Sequence, residues 1–160
     1  MKINLIRALQ ALSAACVLIS GPVFANEAQP VHETHPHHLS LLSAGTYVDG
    51  EDETAITFGI DYEYRVSELI GLGVVAERAL GELDATTVLA VADIHLWKGL
   101  AIQVGPGVEF AEGEEFLIGR LGALYEFEIG NKFTVSPQAH YDASEGKDAI
   151  VFGIAVGRAF

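Results

Sequence analysis

Apolar and polar residues alternate with a period of two along most of the sequence after Leu39. In the stretch 54–65, Ile56, Phe58 and Ile60 occupy alternate positions, with polar or small residues between them. Because successive side chains of a strand point to opposite faces, this pattern predicts a strand with one apolar and one polar face. Segments with this alternation are separated by Gly, Asp, Glu and Pro. They predict strands at 39–48, 54–65, 69–78, 85–96, 100–111, 115–129, 132–143 and 148–160.

These segments predict an all-β fold, an eight-stranded antiparallel up-and-down β-barrel over residues 39–160. An even strand number is typical of closed bacterial barrels, and each segment is long enough to cross a bilayer when tilted. A membrane barrel has its apolar face outside, whereas a water-soluble barrel such as a lipocalin has it inside around a ligand. Pro106 and Pro137 interrupt their ladders and should mark local bulges or strand ends.

Aromatic residues concentrate near the ends of the predicted strands, which favours the membrane barrel. Aromatic rings settle at the two membrane–water interfaces, so two girdles are expected. We therefore predict a transmembrane β-barrel with apolar side chains outside and charged side chains inside. One rim would carry Tyr62, Tyr64, Tyr125, Phe127, Phe133 and Phe160, and the other Tyr47, Phe110 and Tyr141.

The stretch from Ala149 to Phe160 sets large apolar residues against Gly and Ala and ends in an aromatic residue. It resembles the closing strand of bacterial outer-membrane β-barrels, except that Arg158 stands where that class usually has an apolar residue. The resemblance is to the small eight-stranded members of the class and covers nearly the whole mature chain. It implies a place in the Gram-negative outer membrane, contact with lipid and lipopolysaccharide, insertion by the barrel-assembly machinery through the C-terminal strand, and a monomer.

Residues 1–25 have the pattern of a signal peptide, in which a basic start and an apolar stretch precede small residues ending at Ala25. An uncleaved membrane anchor would need a longer apolar stretch. Cleavage after Ala25 would remove Cys16, the only cysteine, so that the mature chain has neither disulfide nor thiol chemistry.

Residues 26–38 form a polar, histidine-rich leader that we expect to lie in the periplasm. Its histidines, His32, His35, His37 and His38, suggest a metal site because imidazole is a common transition-metal ligand. No cysteine or ordered carboxylate pattern accompanies them, so we expect a disordered segment with solvated histidines. The sequence predicts no metal site and no cofactor.

The charge of the predicted mature chain is strongly negative. Two of the nine basic residues and none of the 22 acidic ones precede residue 26, which leaves seven basic against 22 acidic residues and a net charge of −15. Nucleic acid is therefore excluded as a partner, because phosphate binding needs basic patches.

Charges also divide between the two sets of predicted links. The odd-numbered links are acidic, and the even-numbered links are tight and carry Arg65, Lys98 and Lys132. With both termini in the periplasm, the odd links become external loops, where any binding of Mg²⁺ or Ca²⁺ should be weak and nonspecific. The acidic links are Asp49–Glu53, Glu82–Asp84, Glu112–Glu115 and Glu145–Asp148.

Many ionisable residues lie on the polar face and would point into the barrel. Eight strands leave just enough space for side chains to fill, so we expect a packed polar interior. Arg120 should pair with acidic neighbours because a buried, unpaired carboxylate is costly. An ion path or proton relay is the alternative. The interior set is Asp61, Glu63, Arg65, Glu77, Asp93, His95, Glu109, Arg120, Glu126, Glu128, His140 and Asp142.

The candidate catalytic residues are His140, Asp142 and Ser144. Barrel enzymes that hydrolyse lipid A acyl chains have histidine and serine two residues apart on one face, and here Asp142 takes that position relative to His140. A Ser–His–acid set needs hydrogen-bond contact, which this spacing does not secure. We therefore predict no enzyme but a structural or surface-interaction barrel. The alternatives are a narrow porin-like channel for small solutes, a lipid A-modifying enzyme and a soluble lipocalin-like periplasmic carrier.

Overall fold

The computed structural model describes residues 35–48, 53–81, 83–130 and 132–160. The predicted signal peptide, residues 26–34 of the predicted leader, including His32, and residues 49–52 of the first acidic link lie outside the described residues. Within the described ranges the secondary structure is all β, and no helix is long and apolar enough to span a membrane.

The described residues form a closed barrel of antiparallel strands. Strands β1 to β6 pair consecutively, β8 pairs with β9 and β9 with β1, and β6 and β7 follow each other along the same edge of β8. Because β6 and β7 together make one barrel strand, the sheet is an eight-stranded up-and-down barrel, and the predicted fold class is confirmed. The strands are β1 His37–Val48, β2 Glu53–Arg65, β3 Ile70–Leu80, β4 Thr86–Trp97, β5 Leu100–Ala111, β6 Glu114–Tyr125, β7 Phe127–Ile129, β8 Phe133–Ser144 and β9 Ala149–Ala159.

Pro137 explains why β6 and β7 are separate. The ladder with β8 is present at Leu124 and again at Phe127 in the same register, and Pro137 lies opposite the gap. Proline has no N–H to donate, so a ladder that contains it loses hydrogen bonds. On the opposite edge of this strand, next to β5, the N–H of Glu126 donates to the carbonyl of Gly99, with 2.7 Å between nitrogen and oxygen.

The sequence predicted bulges or strand ends at the two prolines, but both prolines lie within strands and neither has a bulge, although Pro137 lies opposite the end of β6. The β4–β5 ladder lacks pairs beside Pro106, between Leu89 and Ala92, but the register is the same on both sides of the gap. The register shift in this pair of strands lies instead between His95 and Trp97. The missing N–H of proline therefore removes hydrogen bonds from the ladder here, but no extra residue is inserted into the strand.

The two faces of the strands differ as the sequence predicts. Large apolar side chains point outward, and Phe58 and Ile154 are 51% and 55% exposed. Their neighbours Thr57 and Ala155 point inward and are buried. An apolar exterior around a polar interior is the arrangement of a barrel that faces lipid, not of a water-soluble carrier.

The barrel has two ends, which we call proximal and distal. The proximal end is the one where β1 begins and β9 finishes; it has the links 66–69 and 98–99. The distal end has the links 81–85, 112–113 and 145–148. Lys98-Gly99 and Glu112-Gly113 are two-residue turns with positive φ at both positions, the geometry that matches the twist of a tight hairpin.

Candidate functional site

Arg120 on β6 lies at the centre of the barrel interior and binds two carboxylates. Its Nη1 and Nη2 donate to the two oxygens of Glu77 on β3, at 2.6 and 2.8 Å. Its Nε and Nη2 donate to the two oxygens of Asp142 on β8, at 2.8 and 2.7 Å. The guanidinium is fully buried, so these four charge-assisted hydrogen bonds replace its hydration.

A second layer is built around Gln103 on β5, which is 1% exposed. Its side-chain nitrogen donates to Asp61 Oδ2 at 3.1 Å and to Asp93 Oδ1 at 3.0 Å. One amide thus holds two carboxylates from different strands. Asp61 Oδ1 is buried and has no hydrogen-bond partner among the described residues.

Five side chains, His38, Glu63, Arg65, His95 and Glu126, converge at the proximal end of the interior, and we call them the proximal cluster. Arg65 Nη2 donates to Glu126 Oε2 at 2.7 Å, and Arg65 Nε lies 3.4 Å from Glu63 Oε1. His95 Nε2 lies 2.7 Å from Glu63 Oε1, and both imidazoles face the same two carboxylates. Two carboxylates, one guanidinium and two imidazoles therefore share this space.

Two cavities of the interior lie on opposite sides of the side chains around Arg120 and Gln103. A cavity of about 410 Å³ lies at the distal end and is lined in part by Thr87, Glu109 and Lys147. A cavity of about 20 Å³ adjoins the proximal cluster. Between them, the side chains around Arg120 and Gln103 leave no room for a water molecule.

The structure places most of the predicted interior residues inside the barrel. Glu109 is half-buried beside the distal cavity, and His140 is 2% exposed. Glu128 is different, because it is exposed on β7, where the chain has passed the proximal end of the interior. The residues found inside are Asp61, Glu63, Arg65, Glu77, Asp93, His95, Glu109, Arg120, Glu126, His140 and Asp142.

His38 and Gln103 are interior residues that sequence reasoning missed. His38 was assigned to the leader, yet β1 begins at His37, two residues before the predicted start, and the alternation turns His38 inward. Gln103 was passed over because it carries no charge. Its position on the polar face of β5, among carboxylates, was the available signal.

Aromatic side chains are found at both ends of the barrel. At the proximal end Phe160 stacks on His37, and Tyr125 packs on Phe127, with ring centroids 5.4 and 4.7 Å apart. Trp97, which is not one of the predicted rim residues, also lies at this end and is 65% exposed. The aromatic residues of the two predicted rims lie near the expected ends. Those near the proximal end are Tyr62, Tyr64, Tyr125, Phe127, Phe133 and Phe160, and those near the distal end are Tyr47, Phe110 and Tyr141.

Solved structures share this architecture. The N-terminal β-barrel domain of Pseudomonas aeruginosa OprF is similar with a TM-score of 0.59 and 14% identity, over 77% of this chain and 97% of that one. Yersinia pestis Ail, in complex with the heparin analogue sucrose octasulfate, gives 0.57 and 15%, over 78% and 97%. Neisserial surface protein A gives 0.57 and 10%, over 78% and 96%. The fold is that of the small outer-membrane β-barrels. The sequence itself matches no protein-family model and no curated protein.

In this outer-membrane barrel fold the catalytic candidates do not meet. His140 and Ser144 both belong to β8, where four residues span about 13 Å. Both oxygens of Asp142, between them, are bound to Arg120. Ser144 Oγ accepts a hydrogen bond from the N–H of Gly146 at 3.0 Å. The arrangement offers neither a base for the serine nor a free acid for the histidine.

Proposed function

We propose that the protein is an integral outer-membrane barrel with a side-chain-filled interior and a structural or surface-interaction role, without catalysis. The outward apolar side chains and the aromatic residues near both ends support residence in a bilayer. In this proposal the aromatic residues named above lie at the two membrane interfaces. The proximal end faces the periplasm and the distal end faces outward.

The plugged interior is the observation that carries the proposal. The guanidinium of Arg120 and the amide of Gln103 are completely enclosed, and the side chains around them leave no space for water. Solute flow through an eight-stranded barrel would need a continuous polar path, so the filled cross-section supports a barrel that does not conduct.

Charge at the distal end indicates what the surface could bind. Asp84, Glu112, Glu114, Glu115 and Glu145 are all exposed there. Ail was solved with a polyanion, sucrose octasulfate. Because the acidic residues here would repel a polyanion, we propose that the distal face favours cationic partners or lipopolysaccharide through divalent cations.

A narrow channel is the second candidate, favoured by the 410 Å³ distal cavity. Purified protein in planar lipid bilayers should give no conductance steps. A variant with Arg120, Glu77, Asp142, Gln103, Asp61 and Asp93 all changed to alanine removes both layers together with every carboxylate they hold, and it should conduct. Steady single-channel conductance by the unaltered protein would contradict the proposed plug.

A matched control uses the ion pair of Arg78 and Asp84, which lies outside the interior. Changing both residues to alanine should leave the barrel non-conducting, because no interior volume is removed. Fractionation with a carbonate wash tests residence in the membrane, and a shift in gel mobility on boiling tests barrel closure. Recovery of the protein in the soluble fraction would refute the outer-membrane location.

Lipid A modification has a direct test. Cells that make the protein, its His140→Ala variant or its Ser144→Ala variant should have the same lipid A by mass spectrometry, because neither residue can activate the other. A change in acylation that depends on the intact protein and is lost in both variants would instead establish an enzyme.

The two ends of the chain have separate roles in this proposal. We propose that residues 1–25 are removed as a signal peptide, that residues 26–36, before β1 begins at His37, form the periplasmic leader, and that the last strand is recognised by the barrel-assembly machinery. We also propose a monomer, since a closed barrel has no free strand edge for pairing. N-terminal sequencing of the membrane-bound protein should begin at Asn26.

A further inference from the structure

Two imidazoles and two carboxylates from four strands meet in the proximal cluster, which is the ligand chemistry of a transition-metal site. We propose that the proximal cluster binds one divalent transition-metal ion through His38 Nδ1 and one oxygen each from Glu63 and Glu126. The site would be independent of whether the barrel conducts or binds at its surface.

Geometry supports these three ligands. Their ligand atoms all lie within 4.8 Å of one another. His38 Nδ1 is 3.9 Å from Glu63 Oε2 and 3.8 Å from Glu126 Oε1. Ligands about 2.1 Å from a tetrahedral metal are about 3.4 Å apart, so the two distances from His38 would shorten by about 0.5 Å, and the two carboxylate oxygens would close on the ion from a separation within 4.8 Å.

Hydrogen bonds outside the ligand set orient it. His38 Nε2 lies 2.9 Å from Thr134 Oγ1, so an Nε2–H that donates to this hydroxyl leaves the Nδ1 lone pair directed at the carboxylates. His95 Nε2, 2.7 Å from Glu63 Oε1, can donate in the same way and fix that carboxylate. Partners of this kind hold metal ligands in place in proteins.

Arg65 is the cation that competes with the metal ion for the two carboxylates. Its guanidinium contacts both carboxylates, at 2.7 Å to Glu126 and 3.4 Å to Glu63. Arg65 is the last residue of β2 and precedes the exposed link 66–69, so its side chain can move toward the proximal opening when an ion binds. The metal therefore competes with Arg65, and removal of this charge should strengthen binding.

The size and the donors of the site limit the ligand to a single ion. The adjoining cavity of about 20 Å³ has room for one water molecule or ion and for nothing larger. An imidazole with two carboxylates suits Zn²⁺ or a neighbouring first-row metal, whereas Ca²⁺ and Mg²⁺ prefer six or more oxygens. The site lies at the proximal end, beside the histidines at 35 and 37.

Isothermal titration calorimetry of the detergent-folded full chain with Zn²⁺ tests the proposal. We expect one ion per chain, binding about 100-fold weaker in Glu126→Gln, and binding at least several-fold tighter in Arg65→Gln. Glu68→Gln removes an exposed acidic charge at the same end and should change nothing. Millimolar Mg²⁺ should not displace the zinc.

A second measurement separates this site from the leader. Co²⁺ bound to the full chain should show the visible absorption of an imidazole–carboxylate site. That absorption should persist in a His32→Gln, His35→Gln double variant and disappear in a Glu63→Gln, Glu126→Gln double variant. The proposal is overturned if zinc does not saturate at one ion per chain, if binding survives loss of both carboxylates, or if it needs the leader histidines instead. Mobility shifts on boiling confirm that each variant is folded.

Discussion

Arg120→Leu should destabilise the barrel by about 3–5 kcal/mol, the range for breaking a buried ion pair by removing one partner. Leucine fills part of the volume but leaves Glu77 and Asp142 enclosed without their shared donor. Four hydrogen bonds of 2.6–2.8 Å are lost from a guanidinium that is fully buried. The expected change is two to four orders of magnitude in the folding equilibrium constant.

Urea titration of the protein folded into lipid vesicles measures this loss, with intrinsic fluorescence and gel mobility as readouts. Arg78→Leu is the matched control, because Arg78 also pairs with a carboxylate, Asp84, but both side chains are largely exposed. Exposed pairs contribute about 0–1 kcal/mol, so this variant should unfold almost as the unaltered protein does.

A compensated variant, in which the unpaired charges are also removed, identifies the cause of the lost stability. Combining Arg120→Leu with Glu77→Gln and Asp142→Asn removes the unpaired charges, and most of the lost free energy should return because neutral amides are less costly to enclose. Equal effects of Arg120→Leu and Arg78→Leu would refute the view that the central ion pairs hold the interior together. So would a compensated variant no more stable than Arg120→Leu alone.

Two further predictions concern backbone packing and the membrane interface. A Cβ at Gly105 would overlap the carbonyl oxygen of Ala90, so Gly105→Ala should cost about 1–3 kcal/mol in the same urea titration, whereas Gly119→Ala, which has open space, should cost little. The only tryptophan, Trp97, is exposed at the proximal end, so its fluorescence in vesicles should be quenched by lipids brominated near the headgroups and not by lipids brominated at the chain ends. Deep quenching or none would contradict an interfacial position.

The fold could be predicted because alternate residues of each strand face the exterior and the residues between them face the interior. Phe58 and Thr57 differ in polarity since one faces outward and the other inward, and this difference repeats in each strand. The prediction of inward-facing residues failed where a strand extends beyond the end of the barrel interior. Glu128 keeps the alternation but lies past the proximal end, and alternation does not state how long the barrel is.

Pairings inside the barrel could be predicted only in part. The sequence indicated that Arg120 needs acidic partners, but Glu77 is on β3, which is not a neighbour of β6 in the sheet. Such contacts cross the interior and depend on barrel size and strand stagger, which a period of two does not encode. His38 was missed for another reason, because the histidine-rich composition before it concealed the start of β1.

The two-residue turns at Lys98-Gly99 and Glu112-Gly113 have a consequence for folding kinetics. They join β4, β5 and β6 into a meander whose contacts are all close in sequence, and such contacts require the least loop-closure entropy. The seam between β1 and β9 joins the first and last strands and requires the most. We therefore expect the meander to nucleate and the seam to close last, so that two dipeptides set the order in which the strands assemble.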